Sequence, residues 1–255
     1  MTTPTPESLI PGAEPFSAAG GREAVLVLHG FTGNPQSMRG LAEAFAAAGL
    51  TVELPLLPGH GTTVDDMVPT RWDDWAGAAE LAYQELSNRC EKVVVAGLSM
   101  GGTLACWLAA HHPEIAGVVL VNPAVEPPAV SFLEMFEGAL DAGMDTVAGV
   151  GNDVADPDAK ELAYELVPVA AILSMFGAVG ELSERLGDIK CPLLLMTSPQ
   201  DHVVPPSNSD FLAERCSGPV ERVSLDRSFH VDTLDYDRHD LEARAVEFAR
   251  KVTTG

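Results

Sequence analysis

The fold of this chain is decided by residues 93–102, which read VVVAGLSMGG. The β-branched residues at the start of this stretch predict a buried strand, and the apolar residues 103–110 that follow it predict a helix. The glycines between the two elements predict a sharp turn, because only small residues fit where a strand and a helix crowd each other. The segment therefore has the strand–turn–helix pattern G-x-S-x-G, with Ser99 at its centre.

Ser99 is a candidate nucleophile because of this placement. The helix that follows it directs its first N–H groups and the positive end of its dipole toward any anion that forms at the hydroxyl. The alternative interpretation is a tight strand-to-helix turn without chemistry. A serine hydroxyl is a poor nucleophile at its own pKa, so Ser99 requires a base, and the base requires an acid to orient it.

The composition indicates a globular protein with an excess of acid. The 255 residues are 46% hydrophobic and 20% charged, which is typical of a chain with a sizeable core. Its 15 basic and 37 acidic residues give a formal net charge of −22. This charge argues against a nucleic-acid partner and against electrostatic docking on anionic lipid. The 4 cysteines lie far apart without a Cys-x-x-Cys pair, which predicts free thiols in a reducing compartment.

The sequence has no targeting, membrane or cofactor signature. Residues 1–15 have neither the basic start nor the apolar centre of a signal peptide, and no apolar stretch approaches the length of a membrane span. We therefore expect a cytoplasmic protein without stable membrane insertion, as a monomer or weak dimer. No glycine-rich phosphate loop or metal-ligand cluster occurs, so we expect no cofactor and no metal.

Apolar runs alternate with amphipathic patterns along the chain. Predicted strands cover residues 12–17, 24–29, 51–57, 92–98, 117–121, 192–197 and 221–225, and predicted helices cover residues 35–48, 71–89, 100–112, 207–216 and 241–252. Continuously apolar strands that alternate with helices predict a mostly parallel, doubly wound sheet with helices on both faces.

The alternation breaks between residues 124 and 180, where no clear strand is visible. This stretch is too long for an ordinary connection between two elements. We therefore expect an insertion with structure of its own, at about residues 125–180, within a single domain that spans residues 1–255.

The order of the chemical groups along the chain limits the choice of base and acid. In this fold the serine is followed by an acid and then by a histidine, each on a loop after a strand. His230 follows the last predicted strand and is the candidate base, with a structural histidine as the alternative. Asp201 follows the preceding strand and is the candidate acid. Asp226 and Asp232 are rivals because both are close to His230 in sequence, but turn residues are common at such positions.

Attack by a serine on a carbonyl creates an oxyanion that needs two fixed N–H donors. The Met100 amide directly follows the nucleophile. The second donor is expected in the loop after the first core strand, residues 29–33 (HGFTG), which points to the Phe31 amide. The alternative is a glycine-rich strand end without a role in chemistry.

Several of these segments resemble one known family. Residues 29–33 (HGFTG), 59–63 (GHGTT), 97–102 (GLSMGG) and 201–206 (DHVVPP) are similar to segments of α/β-hydrolases. Residues 228–237 (SFHVDTLDYD) resemble the branch that contains bacterial monoacylglycerol lipases and small carboxylesterases. The resemblance runs from about residue 12 to residue 252 and implies the α/β-hydrolase fold.

The resemblance implies an activity and assigns roles to the same residues. It places the nucleophile at Ser99, the acid at Asp201, the base at His230 and the oxyanion donors at Phe31 and Met100. It implies a serine hydrolase that cleaves monoacylglycerols or similar medium-chain lipid esters through an acyl-enzyme. The alternatives are a short-chain carboxylesterase, an acyltransferase or perhydrolase with the same triad, and a non-catalytic ligand-binding or interaction protein on this fold.

The expected insertion falls where this family carries a lid. Residues 160–164 (KELAY) resemble a lid stretch of the bacterial monoacylglycerol lipases, in which a glutamate accepts hydrogen bonds from the glycerol hydroxyls. The resemblance therefore implies that Glu161 binds the substrate headgroup, since a carboxylate offers only acceptors. The alternative is a solvated acidic residue on a lid helix. Apolar residues of the insertion either line a tunnel for the acyl chain or hold the lid together.

Overall fold

The computed structural model describes residues 9–254. Residues 1–8, which belong to the stretch without a signal-peptide pattern, lie outside the described residues. The strands are β1 (Phe16–Ala18), β2 (Glu23–Leu28), β3 (Thr51–Leu54), β4 (Lys92–Leu98), β5 (Gly117–Val121), β6 (Thr146–Ala148), β7 (Leu166–Pro168), β8 (Leu193–Thr197) and β9 (Val220–Ser224). The helices are α1 (Pro35–Ala47), α2 (Val64–Met67), α3 (Trp72–Arg89), α4 (Met100–His111), α5 (Val130–Asp141), α6 (Val169–Ser183), α7 (Ser207–Arg215) and α8 (Arg238–Thr253).

A 7-stranded sheet in the order β1-β3-β2-β4-β5-β8-β9 forms the centre of the fold. The strands from β3 to β9 along this order pair in parallel, and β1 pairs with β3 in the antiparallel direction. The predicted parallel, doubly wound sheet is thus confirmed. The first strand begins at Phe16, later than predicted, and α2 was not predicted because it is only 4 residues long.

Each face of the sheet packs against helices, because alternate residues of every central strand point to opposite sides. In β4, Val95 belongs to the core shared with α3, α4 and α6, whereas Val94 belongs to the core shared with α1 and α8. Trp75 of α3 is completely buried in the first of these cores. Burial on both faces explains why the central strands read as continuous apolar runs.

The segment between β5 and β8 contains α5, β6, β7 and α6. No clear strand was visible here in the sequence, but β6 and β7 form an antiparallel pair. Each has only 3 residues, which is too short to show a periodic pattern. The apolar residues of the whole segment between β5 and β8 lie in two environments. Phe136 and Met175 are buried in the core, whereas Met135 on α5 is 56% exposed.

No helix within residues 9–254 has the length and hydropathy needed to cross a membrane. All four cysteines are free thiols, and burial raises the pKa of Cys191 to about 11. Such a thiol is mostly protonated at neutral pH and is therefore a weak nucleophile.

Candidate active site

Ser99 lies at a strained turn between β4 and α4. Its φ of 55° is in the left-handed region, which side chains other than glycine rarely adopt. Two positions of the turn, 97 and 101, have room only for glycine. A Cβ atom on Gly97 would stand 2.1 Å from Gly101 O, and one on Gly101 would stand 2.1 Å from Leu28 O. The backbone therefore passes too closely for any other residue, and the serine is displayed at the carboxyl edge of the sheet.

Asp201 and His230 are in direct contact. The His230 Nδ1 atom lies 2.7 Å from Asp201 Oδ2, and the two side chains are only 8% and 1% exposed. The other oxygen, Oδ1, accepts hydrogen bonds from the Val203 and Val204 N–H groups, each over 2.8 Å. Because the carboxylate can only accept, Nδ1 carries the proton and Nε2 is free to receive another.

Ser99 and His230 are both held by the end of β5. The Ser99 N–H donates to Val121 O over 3.0 Å, and the Asn122 side chain donates to His230 O over 2.9 Å. Among residues 9–254, no hydrogen bond joins the Ser99 hydroxyl to the imidazole of His230. Catalytic bonds of this kind often tighten only when substrate binds. The structure thus places Asp201 in contact with His230, whereas a hydrogen bond between His230 and Ser99 stays a prediction.

Met100 and the loop that carries Phe31 are both adjacent to Ser99. Met100 is the first residue of α4, where N–H groups have no partner within the helix. A Cβ atom on Gly30 would stand 3.6 Å from the Ser99 Cβ atom, so the loop that carries Phe31 packs against the serine. Within the described residues, neither N–H donates to another backbone group. Both donors are therefore available to an oxyanion.

Two buried histidines support this loop. His29 Nε2 accepts a hydrogen bond from the Leu57 N–H over 3.1 Å, and His60 Nδ1 lies 3.0 Å from Pro58 O. Burial lowers the pKa of His60 to about 4 and the pKa of His29 well below its usual value. Both rings are consequently neutral at pH 7, and His60 also packs edge-on against Phe31. They hold the loop in place and do not serve as bases.

Glu161 packs against Gly33 in the loop that carries Phe31. A Cβ atom on Gly33 would stand 2.8 Å from Glu161 Oε1, so the glycine leaves the space that this carboxylate occupies. Burial raises the pKa of the Glu161 carboxyl, whereas the charge of His230 and the Ser37 hydroxyl lower it. Residue 161 lies outside any helix and is half-buried. Glu161 therefore does not lie on a lid helix, and its role in binding the headgroup stays a prediction.

The backbone on both sides of Glu161 is clamped. The Gln36 side chain donates from Nε2 to Lys160 O over 3.0 Å and accepts the Leu162 N–H at Oε1 over 3.2 Å. The Glu161 N–H itself donates to Asn152 Oδ1 over 2.8 Å. The Gln36 contacts connect the insertion to α1, and all three contacts fix the backbone that carries the carboxylate.

Asn122 makes contacts at the candidate site that the sequence did not reveal. It follows β5 directly and has a φ of 43°. Its Oδ1 accepts the Ser198 N–H over 2.8 Å, and its Nδ2 donates to Asp232 Oδ2 over 2.6 Å as well as to His230 O. One side chain thus connects the loops that follow β5, β8 and β9. Its position after a strand was visible in the sequence, but its partners lie about 80 to 110 residues away.

Asp232, a rival acid in the sequence, has a different role. It is completely buried, and its Oδ1 has no hydrogen-bond partner within residues 9–254. Burial raises the pKa of Asp232 to about 9, and the carboxylates of Asp201, Asp235 and Asp237 add to this effect, while Asn122 opposes it. The side chain is therefore a neutral acid at pH 7. The other rival, Asp226, is exposed in a turn.

We expect Asp232→Asn to weaken the pH dependence of stability. From about pH 4 to pH 9 the folded protein holds a proton that the unfolded chain has lost, so stability falls by up to about 1.4 kcal/mol per pH unit. The asparagine variant lacks this contribution. Between pH 6 and pH 8 its free energy of unfolding should therefore fall less than that of the wild type, by up to about 3 kcal/mol.

Urea unfolding of both proteins at pH 6, 7 and 8 measures this difference. Asp226→Asn is the matched control, since Asp226 is exposed on the neighbouring turn. Its pH dependence should follow the wild type. Parallel curves for wild type and Asp232→Asn would contradict a neutral Asp232.

Comparisons with known proteins agree with this geometry. A family model described as "Serine aminopeptidase, S33" matches residues 20–234. The chain is 46% identical to a thermostable monoacylglycerol lipase of Bacillus sp. (strain H-257) over 244 residues, which cover 95% of this chain and 96% of that protein. It is 26% identical to a carboxylesterase of Bacillus subtilis (strain 168) over 242 residues, with 94% and 97% coverage.

A solved structure supports the same assignment. It comes from work on LipS and LipT, two metagenome-derived lipolytic enzymes, and it matches with a TM-score of 0.91 at 40% sequence identity. The match covers 95% of this chain and 99% of that chain. The resemblance drawn from the sequence motifs is thereby confirmed. The chain belongs to the serine aminopeptidase S33 family of α/β-hydrolases.

Proposed function

We propose that the protein hydrolyses the ester bond of monoacylglycerols or similar medium-chain lipid esters through an acyl-enzyme on Ser99. The observation that carries this proposal is the 2.7 Å contact between His230 Nδ1 and Asp201 Oδ2, at the sheet edge where Ser99 is displayed. The 46% identity to a monoacylglycerol lipase supports the choice of substrate. The ligand is a lipid ester, and the residues above need no cofactor for this chemistry.

The arrangement accounts for each step of ester hydrolysis. Ser99 Oγ attacks the ester carbonyl while His230 Nε2 takes its proton, and Asp201 stabilises the imidazolium that forms. The tetrahedral intermediate collapses, and His230 returns the proton to the departing alcohol. Water then attacks the acyl-enzyme with His230 again as base, which releases the fatty acid and restores Ser99.

The amides of Phe31 and Met100 hold the oxyanion of both tetrahedral intermediates. Loss of one such donor typically costs about 3 kcal/mol of transition-state stabilisation. Both donors are backbone groups that are in place before substrate binds, so no reorganisation is needed when the charge develops.

Glu161 recognises the glycerol headgroup in this proposal. His230 protonates the oxygen of the departing alcohol, and the charge of His230 lowers the pKa of the Glu161 carboxyl. The remaining glycerol hydroxyls therefore lie within reach of the Glu161 carboxylate, which accepts their hydrogen bonds. The carboxylate occupies the space over Gly33, and the Gln36 side chain fixes the backbone on both sides of Glu161.

Residues 125–180 form a lid over the acyl side of the site in this proposal, within the single domain. The rings of Phe132, Phe136 and Phe176 cluster where α5 meets α6, with the Phe132 centroid 5.1 Å and 5.6 Å from the other two. On the outer surface of α5, Val130 is 70% exposed. An apolar layer of this kind suits an acyl chain, and Met175 adapts to variable shapes.

The proposal is tested with two substrates that share an acyl chain, monolauroylglycerol and methyl laurate. The wild type should have the higher kcat/KM on monolauroylglycerol. Glu161→Gln removes the negative charge that accepts the glycerol hydroxyls, and such hydrogen bonds are worth about 1.5–3 kcal/mol. We therefore expect kcat/KM for monolauroylglycerol to fall about 10- to 100-fold, with a change of less than about threefold on methyl laurate.

Glu165→Gln is the matched control, since Glu165 is an exposed glutamate in the same segment. It should leave both rates unchanged. Higher kcat/KM of the wild type on methyl laurate or on trilauroylglycerol would refute the monoacylglycerol assignment. Failure to hydrolyse any of these esters would refute ester hydrolysis, and faster transfer of the acyl group to added alcohol or peroxide than to water would favour an acyltransferase or perhydrolase.

A further inference from the structure

Asp153 lies in the insertion, between β6 and β7, and its carboxylate reaches the candidate triad. The residue is 8% exposed. Oδ2 accepts the backbone N–H of His230 and the backbone N–H of His202, each over 3.1 Å. Oδ1 lies 2.8 Å from His202 Nδ1, and the Asp153 carbonyl accepts the Val231 N–H over 3.1 Å. One side chain from the insertion thus contacts two separate loops of the sheet.

These two loops carry the acid and the base. His202 directly follows Asp201, and His230 is the candidate base. The contacts close a ring: Asp201 binds the His230 imidazole, and Asp153 binds the backbone of His230 and the residue after Asp201. The separation of the two backbones therefore determines the distance between Asp201 Oδ2 and His230 Nδ1.

We propose that Asp153 is a positioning residue that fixes the base loop against the acid loop and so aligns the imidazole of His230. This inference rests on the proposed roles of Asp201 and His230. It assigns to the insertion a part in catalysis that is separate from covering the substrate. An error of about 1 Å in such an alignment typically costs about 100-fold in rate.

A positioning role and a purely electrostatic role of Asp153 make opposite predictions for two conservative variants. Asp153→Asn removes the charge but keeps a carbonyl oxygen that can accept both backbone N–H groups. Asp153→Glu keeps the charge but moves the carboxylate outward by one methylene group. A positioning role predicts a kcat within about threefold of wild type for Asn and a loss of about 30- to 100-fold for Glu, with KM unchanged.

Asp235→Glu is the matched control. The buried Asp235 carboxylate accepts N–H groups from Ala155, Phe229 and other backbone positions, but none from residues 202 or 230. Asp235 thus anchors the insertion to the loop that carries His230, but it takes no part in the contacts among Asp153, Asp201 and His230. Its kcat should stay within about threefold of wild type at a temperature where all variants are folded, whatever its Tm.

The proposal is tested with p-nitrophenyl butyrate kinetics and with the imidazole N–H resonance of His230 in the ¹⁵N-histidine-labelled protein. The resonance should lie far downfield in wild type, Asp153→Asn and Asp235→Glu, and move upfield in Asp153→Glu. Equal kcat losses in Asp153→Glu and Asp235→Glu, or a larger loss in Asp153→Asn than in Asp153→Glu, would overturn it. An unshifted resonance in Asp153→Glu would do the same. The resonance needs no turnover, so a protein inactive on esters would refute the proposed function and leave this test intact.

Discussion

Ser99→Ala is expected to lower kcat for ester hydrolysis by about 10⁵- to 10⁶-fold. Without the hydroxyl no acyl-enzyme forms, and only the oxyanion donors and substrate binding still favour attack by water. The substitution adds no strain, because alanine and serine share the Cβ atom that the left-handed turn already accommodates at a φ of 55°. The Tm should therefore remain close to that of the wild type while activity disappears.

Hydrolysis of p-nitrophenyl butyrate measures this loss, and a fluorophosphonate probe identifies the nucleophile. The probe should label the wild type once, on Ser99, and should not label Ser99→Ala. Ser87→Ala, at an exposed serine of α3, is the control and should be labelled like the wild type. Labelling of another serine in Ser99→Ala, with activity retained, would show that residue 99 is not the nucleophile.

Asp201→Asn is expected to lower kcat by about 10⁴-fold, with little change in KM. The N–H groups of Val203 and Val204 both point at Oδ1, so the asparagine carbonyl will occupy that position. Its NH₂ group then faces Nδ1 of His230 and forces that nitrogen to accept. The imidazole proton moves to Nε2, which can no longer take the proton of Ser99.

Steady-state kinetics of Asp201→Asn and Asp226→Asn compare the two acids directly. Asp226 is exposed, and its carboxylate accepts from the Ser224 hydroxyl. Its variant should remain within about twofold of wild type, as most surface substitutions do. A larger loss in Asp226→Asn than in Asp201→Asn would reverse the assignment of the acid.

Much of the fold was predictable because its patterns are local. The strand at residues 117–121 has the predicted bounds, since the apolar run 118–121 lies between Gly117 and Asn122. The turn at Ser99 was predictable because the pattern G-x-S-x-G is local, and glycine is needed at position 97 because Gly101 O lies close by. The need for glycine at position 101 arises instead from Leu28 O on the neighbouring strand β2. The order of strands and loops then pointed to Asp201 and His230, which the structure places in contact.

The contacts around these residues were not predictable. Asp153 binds the backbone of a residue 77 positions away, and Asn122 binds one 108 positions away. No periodicity marks such residues, because a single side chain that crosses between loops leaves no repeat in the sequence. The β6–β7 pair was missed for a related reason, since each strand is stabilised by its partner and not by its own pattern.

The sequence by itself determined the parallel sheet, the turn that displays Ser99, and the order in which acid and base follow it. These features depend on backbone sterics and on apolar periodicity, which act over a few residues. Only the tertiary structure decided that burial raises the pKa of Asp232, that Glu161 packs against Gly33, and that Asp153 ties the insertion to the loops of Asp201 and His230. These features depend on desolvation and on hydrogen bonds, and both are determined by residues that meet only after the chain has folded.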